Sequence, residues 1–387
     1  MSGRVLLYVQ NLLGLGHLRR AAVIARALVA DGMEVAFVSG GVPQPAIDLG
    51  GARLIQLPPA RVADERFSPI LDADGRPIDD GWRDRRRRAL LDAFAASRPA
   101  LLLIELFPFG RRAFRFELLP LLETARAGRP RPLILSSVRD ILVDKGRPER
   151  TEEVVELVHR AFDRVLVHGD PGLAPLERSF PAATRIADRI DYTGYIVEAA
   201  PAPSPSSQRE GTGEVLVTAG GGAVAAPLIE AAIAARSLGA AVDRPWRIVT
   251  GPGYPEDLWR RLVAEAPPGI VLERFRPDLS ALYSRCALSI SQAGYNTVAE
   301  VLAAGARAVL VPFGRGGESE QPLRARLLAE RGLATVVAEE DLTPARLAQA
   351  VDRALALPPP VAVGHGLNLD GSSRTAALIR KMLVAAP

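Results

Sequence analysis

The sequence is poor in the residues that make covalent staples, metal cages and nucleic-acid surfaces. One cysteine, Cys286, occurs in 387 residues. No disulfide can therefore close within the chain, and no cysteine-based zinc site can form. The four histidines stand far apart, at 17, 159, 168 and 365, which is not the spacing of a multi-histidine metal site. Lysine occurs only at 145 and 381, so almost all 48 basic residues are arginine. With abundant alanine, that bias reflects a GC-rich genome more than a partner. Aromatic residues are only 5%, and the net charge of +4 is spread evenly along the chain. A nucleic-acid binder usually shows a basic stripe with stacking aromatics, so nucleic acid is not an expected partner. No apolar run reaches the roughly 18–20 residues that span a bilayer. The first ten residues read directly as a strand rather than a basic-then-apolar leader, which places the protein in the cytoplasm.

What is present is a steady alternation. Short runs rich in Val, Leu and Ile recur at 5–9, 35–38, 54–57, 101–104, 133–135 and 165–167. Ala-rich amphipathic stretches lie between them, near 18–30, 82–96, 114–126 and 152–162. The stretch EAAPAPSPSSQREGTG then breaks the pattern with Pro and Ser, which is linker chemistry. A second series follows, with strands at 215–218, 247–250, 270–272, 288–290, 308–311 and 335–337, and helices including 297–304 and 323–331. Strands alternating with helices predict parallel sheets with right-handed crossovers. The expected fold is α/β, with two doubly wound Rossmann-like domains facing across a cleft. The expected boundaries are 1–198, a linker at 199–213, 214–371, and a closing helix at 372–387 that can pack back on the first domain. In such sheets ligands sit beyond the carboxyl ends of the strands.

Chemistry-bearing residues gather at those strand ends. After the first strand comes NLLGLGHLRRA, with Gly14, Gly16 and His17. It lacks the third glycine of a dinucleotide fingerprint, and the second strand ends in Ser-Gly-Gly instead of an acid for a ribose, which disfavours NAD. A histidine here is placed to act as a general base. Glu105 closes one strand and is followed by a loop carrying Arg111; Asp140 follows the next strand. Either acid could orient His17 or replace it. In the second half, Gly220, Gly221 and Gly222 follow the first strand as a surface for a phosphate or sugar. Residues 287–312 read ALSISQAGYNTVAEVLAAGARAVLVP. A strand ends at Ser291, a loop holds Gln292, Ala293, Gly294 and Asn296, and a helix begins near Thr297 with Glu300 in its first turn. A helix N-terminus can bind a diphosphate without a metal, and Glu300 could take two ribose hydroxyls. Glu320 and Gln321, in a later polar loop, offer groups for sugar hydroxyls.

Together, GLGH at 14–17, TAGGG at 218–222, FRPDLSALYSRCALSISQAGYNTVAE at 275–300 and the VPF…EQ loop at 311–321 resemble the GT-B glycosyltransferases related to the peptidoglycan N-acetylglucosaminyltransferase (MurG-like), and among them a group of predicted glycosyltransferases. The resemblance covers essentially the whole chain. It implies that the C-terminal domain binds a nucleotide sugar, usually uridine-linked, and that the N-terminal domain receives the acceptor. Glu300 would hold the ribose and the 293–297 loop the diphosphate. Glu320 and Gln321 would face the sugar, Phe275 and Arg276 would border the base, and His17 would lie in the cleft. Two residues depart from the family pattern: Gln292 replaces a usual Arg, and Glu320 a usual His.

The reading that follows is a metal-independent, inverting glycosyltransferase with no cofactor. Its donor is a nucleoside-diphosphate sugar. Its acceptor is a hydroxyl compound, lipid-linked or a small metabolite. Competing readings are a hydrolase or epimerase of nucleotide sugars on the same fold, since Gly14–Arg20 also resembles hydrolases of nonulosonic acid synthesis, and a non-catalytic binder. Asp72 and Asp74 form an Asp-x-Asp, the metal mark of the other major glycosyltransferase fold, but LDADGRPIDDG reads as a turn. The arginines at 83 and 85–88 read as a solvated helix face, one that suits peripheral contact with anionic lipid at the inner membrane face.

Overall fold

The structure is a computed structural model. It describes residues 3–12, 14–62, 69–143, 146–198, 212–220, 223–360 and 364–385. The chain divides into two compact units. The first runs from the amino terminus to Leu142 and over Gly146–Ile196, and resumes at Asn368; the second is built on Val197–Leu367.

The first unit has strands β1 (Arg4–Val9), β2 (Glu34–Ser39), β3 (Arg53–Gln56), β6 (Leu101–Glu105), β7 (Leu133–Arg139), β8 (Arg164–His168) and β9 (Ile190–Tyr192). Among the described residues they form one sheet, ordered β3-β2-β1-β6-β7-β8-β9, with every pairing parallel. A small antiparallel pair, β4 (Arg61–Val62) and β5 (Ile70–Leu71), stands apart.

A parallel sheet covered on both faces needs strands that are apolar throughout. Every residue of Val5–Val9 is accordingly buried. The period of two then deals the side chains to two cores. Leu6 and Tyr8 pack with Trp82 and Leu90 of α2 (Asp80–Ser97) and with Leu118 of α3 (Arg115–Ala127). Val5, Leu7 and Val9 pack with Leu18, Ile24 and Leu28 of α1 (Gly16–Ala30). This second core also holds Ala376 and Ile379, from the helix Gly371–Ala385 that follows the second unit in the chain. Arg380 of that helix pairs with Asp31 at the end of α1. Toward the β9 edge, Val155 and Val158 of α4 (Pro148–Ala161) pack with Val165 and Val167 of β8.

The second unit repeats the plan. Its strands β10 (Val215–Thr218), β11 (Trp246–Val249), β12 (Ile270–Glu273), β13 (Leu288–Ser291), β14 (Ala308–Leu310) and β15 (Thr335–Val336) are ordered β12-β11-β10-β13-β14-β15, all parallel. Val215, Val217, Ile248, Ile290 and Val309 pack against α5 (Ala226–Ala235) and α10 (Pro344–Ala356) through Leu228, Ala232, Leu347 and Val351. Leu262 of α6 (Glu256–Glu265) joins the same core, and the short α7 (Leu279–Tyr283) leads into β13. In each sheet the strand order reverses once, between β1 and β6 and between β10 and β13. Helices leave opposite faces there, and the loops part to form a crevice.

Two surface readings resolve differently. The Asp-x-Asp is a turn: Asp72 Oδ1 accepts the amides of Asp74 and Arg76, each at 2.9 Å. The arginine run is not wholly solvated. Arg86 is fully buried, because it lies on the α2 face that meets the sheet. Its guanidinium donates to Glu117 Oε2 at 2.7 Å, Gly40 O at 2.8 Å and Pro58 O at 2.6 Å. It also lies over the rings of Trp82 and Phe114. Its neighbours Arg85 and Arg88 are exposed. No helix among the described residues is long and apolar enough to cross a membrane.

Candidate active site

In the first unit the reversal point carries an acid–base pair. Gly14 takes φ +69, a left-handed conformation that glycine adopts without strain, and the chain then enters α1. His17, one residue after Gly16, meets Glu105 at the end of the adjacent strand β6. His17 Nδ1 lies 2.9 Å from Glu105 Oε1. Arg20, one turn on, also donates to Glu105 Oε1. Arg20 Nη2 also lies 3.3 Å from His17 Nδ1, but the carboxylate at 2.9 Å is the shorter contact and only accepts, so His17 Nδ1 carries the proton and Nε2 is left with its lone pair. Burial lowers the His17 pKa, and Arg111 and Arg20 lower it further against the pull of Glu105, to about 3. The ring is neutral at pH 7, although 17% of its side chain is open to solvent. Burial pushes Glu105 up, but Arg20, His17 and Ser137 outweigh it and hold the carboxyl well below the usual carboxylate range.

Arg111 starts a short 3-10 turn with φ +59. Its Nε is buried with no hydrogen-bond partner. Burial lowers its pKa to about 10. Asp140 is engaged elsewhere: it accepts Ile141 N at 2.8 Å and the Tyr195 hydroxyl at 3.0 Å. Of the two acids considered for His17, Glu105 is the one bonded to it.

In the second unit the loops leaving β10 and β13 lie side by side. A Cβ added at Gly220 would stand 3.1 Å from Gln292 Oε1, so glycine lets the loops close on each other. Gly221 and Gly222 lie outside the described residues. Ser291 is fully buried and its Oγ has no hydrogen-bond partner. Helix α8 (Tyr295–Ala304) then begins after Gly294, and no side chain caps it. The amides of its first turn, including Asn296 and Thr297, thus present the positive end of the helix to the loop. Glu300 is half-buried in the next turn. Burial, helped by the charge of Glu300, raises the pKa of the Tyr283 hydroxyl well above its ordinary value. That hydroxyl in turn lies 2.8 Å from Thr218 Oγ1 at the end of β10.

Glu320 is paired inside the protein. It is buried in α9 (Glu320–Glu330), and Arg324 Nη2 donates to its Oε1 at 2.7 Å. Arg324 Nη1 reaches back to Ala293 O at 2.8 Å. The i,i+4 pair therefore braces the loop before α8. Gln321 Oε1 accepts Phe313 N at 3.2 Å. Arg276 is likewise committed to protein, bonding both oxygens of Asp278, at 2.8 and 2.9 Å, and Glu273 at 3.1 Å. Phe275 beside it is 55% exposed. Among the described residues, no three of His, Cys, Asp or Glu gather as a metal site.

Comparison with known proteins addresses the family. Residues 215–360 match the glycosyltransferase family 28 C-terminal domain. That match lies within the second unit. The UDP-N-acetylglucosamine--N-acetylmuramyl-(pentapeptide) pyrophosphoryl-undecaprenol N-acetylglucosamine transferase of Rhodopseudomonas palustris (strain BisB18) is 35% identical over 197 residues, 48% of this chain and 52% of the relative. The chain thus spans about half the length of the curated relatives it matches. The structure of MurG from Acinetobacter baumannii superposes with a TM-score of 0.61 over 98% of this chain and 100% of that one, at 17% identity. The glycotransferase of kitacinnamycin gives 0.68 over 99% and 100%, at 18% identity. These likenesses show the fold, which is GT-B, with two Rossmann-like domains.

The motifs do not point to His168 or Arg324, and they include Arg20 and Ser137 without giving either a role. Arg324 has a readable signal in its i,i+4 spacing from Glu320. Ser137 and His168 are polar residues near the ends of otherwise apolar strands, a pattern that marks a site-facing position.

Proposed function

We propose that the chain moves a sugar from a nucleoside-diphosphate sugar to an acceptor hydroxyl, with inversion and without a metal. The observation that carries this reading is the His17–Glu105 pair, a neutral imidazole held by its Nδ1 in a chain whose other unit holds the family 28 match. The acceptor oxygen attacks the anomeric carbon on the face opposite the leaving group, and His17 Nε2 takes its proton. The bond from that carbon to the diphosphate breaks, and the electron pair goes to the leaving oxygen. Fixed amide dipoles at the start of α8 and the buried Ser291 hydroxyl suit that charge. Relatives named as UDP-N-acetylglucosamine transferases support a UDP-linked donor. Their named acceptor is lipid-linked, which would place the work at the inner face of the membrane. A thermal-shift screen of nucleotides, then product analysis with acceptors, tests the proposal. A sugar joined to the acceptor supports it. Free sugar made equally well without acceptor would instead indicate hydrolysis.

Two further results are expected. Glu300→Ala weakens uridine diphosphate binding by about 1.5–3 kcal/mol, the scale of a lost charge-assisted hydrogen bond. Calorimetry on the folded variant measures it, and unchanged affinity removes Glu300 from the ribose. Turnover survives EDTA, because helix amides rather than an ion carry the diphosphate. Loss of turnover that magnesium or manganese restores would overturn the metal-free step.

A further inference from the structure

Beyond Glu105, the buried chain of hydrogen bonds continues through three strands. Ser137 Oγ lies 2.7 Å from Glu105 Oε2, the oxygen that His17 does not use. The same hydroxyl is 2.9 Å from His168 Nε2. His168 Nδ1 is 2.8 Å from Thr193 Oγ1. All four side chains are buried. They come from β6, β7, β8 and the residue after β9, adjacent in the sheet though far apart in sequence.

Donors and acceptors can be assigned along this chain in one direction. Glu105 is a carboxylate and only accepts, so Ser137 must donate to it. The Ser137 oxygen is then free to accept, and His168 Nε2–H supplies that proton. His168 Nδ1 is left with a lone pair, which Thr193 Oγ1–H fills. The other acceptors near that hydroxyl, Gly194 O at 3.3 Å and Val167 O at 3.5 Å, are longer. Each proton thus has one good place, and both carboxylate oxygens are held.

We propose that Ser137 and His168 are positioning residues for the His17–Glu105 pair, fixing the carboxylate so that Oε1 faces His17 Nδ1 and keeps Nε2 as the base. The inference rests on the reading of His17 as the base. The charged groups acting on this pair are Arg20 on α1 and Arg111 in the loop after β6, with Arg139 at the end of β7 acting on Arg111. Arg20 and Arg111 disfavour the imidazolium of His17. His168 is itself kept neutral, since burial and Arg20 lower its pKa to about 3. It therefore stays neutral across the working pH range, and its hydrogen bonds to Ser137 and Thr193 choose the tautomer.

The test pairs kinetics with a direct view of the protons. Ser137→Ala should lower kcat by roughly 10- to 100-fold, the scale for outer partners of a functional histidine, with donor KM little changed. The acid limb of kcat should move to higher pH, because a carboxylate relieved of the Ser137 bond holds an imidazolium better. Ser137→Thr keeps the hydroxyl and should recover most of the rate. Wild-type kcat and pH profile in Ser137→Ala would overturn the proposal. If Ser137→Ala fails to fold, nitrogen-15 NMR of histidine in the intact wild-type chain decides. A proton on Nε2 of His168 and on Nδ1 of His17 supports the proposal. A proton on Nδ1 of His168 overturns it, since Ser137 would then donate to His168 and not to Glu105. His17→Ala, run in parallel, separates the two ideas: if it retains full turnover, the base assignment fails whatever Ser137 does.

Discussion

Replacing His17 with alanine is expected to lower turnover by about 10²–10⁴, the range for a positioned general base, while donor affinity stays nearly unchanged. The split between rate and binding follows from where the residues lie in the chain. His17 and Glu105 belong to the first unit, while Gly220, Ser291, Asn296 and Glu300 belong to the second. Truncating His17 leaves Glu105 paired with Arg20 and Ser137, so the carboxylate is not stranded and the fold should hold. The pH profile adds a second mark. A free histidine is half protonated near pH 6.5, whereas burial and the nearby arginines draw the His17 pKa down to about 3. The wild-type acid limb should therefore lie well below 6.5. Single-turnover kinetics with a true acceptor, together with calorimetry for the donor, measure both effects. Wild-type turnover in His17→Ala would falsify the base assignment.

Glu117→Ala is expected to destabilise the first unit by about 3–5 kcal/mol, the cost of stripping one partner from a buried ion pair. Arg86 and Glu117 are both fully buried, and Glu117 also accepts the Tyr8 hydroxyl. Removing the carboxylate leaves a guanidinium inside the core with carbonyls, Gln10, the Tyr8 hydroxyl and aromatic faces around it, but no anion. A double replacement, Arg86→Met with Glu117→Leu, should cost clearly less than the single change, because no charge is left unpaired. Urea denaturation followed through Trp82, the tryptophan of α2, reads the transition of this unit. Equal midpoints for wild type and Glu117→Ala would show that the buried arginine finds another partner.

Much of the fold is legible in residue patterns alone. Apolar runs such as 5–9 and 215–218 are buried on both faces, and their alternation with helices forces parallel sheets. The loop from Ser291 into α8 can be read because strand, glycine and helix start follow one another directly. Contacts made across the sheet cannot be read so. Ser137 meets Glu105, and His168 meets Ser137, only because β6, β7 and β8 are neighbours, and no local spacing encodes that. Arg86 reads as a surface residue for a related reason. It sits among charged residues on α2, and only the face turned to Tyr8 and Glu117 distinguishes it from Arg85. Strand β9 leaves little mark on the pattern because Ile190–Tyr192 is three residues long with an acid in the middle.

The helix Gly371–Ala385 sets an order on the birth of the molecule. The core beside α1 lacks Ala376 and Ile379 until the ribosome has passed every codon of the second unit. The second unit is nearly continuous in the chain and can fold as it emerges. The unit carrying His17 must wait, with the α1 side of its sheet unsealed and open to chaperones. A nascent chain stalled anywhere before Asn368 would hold a finished second unit and an unfinished first one.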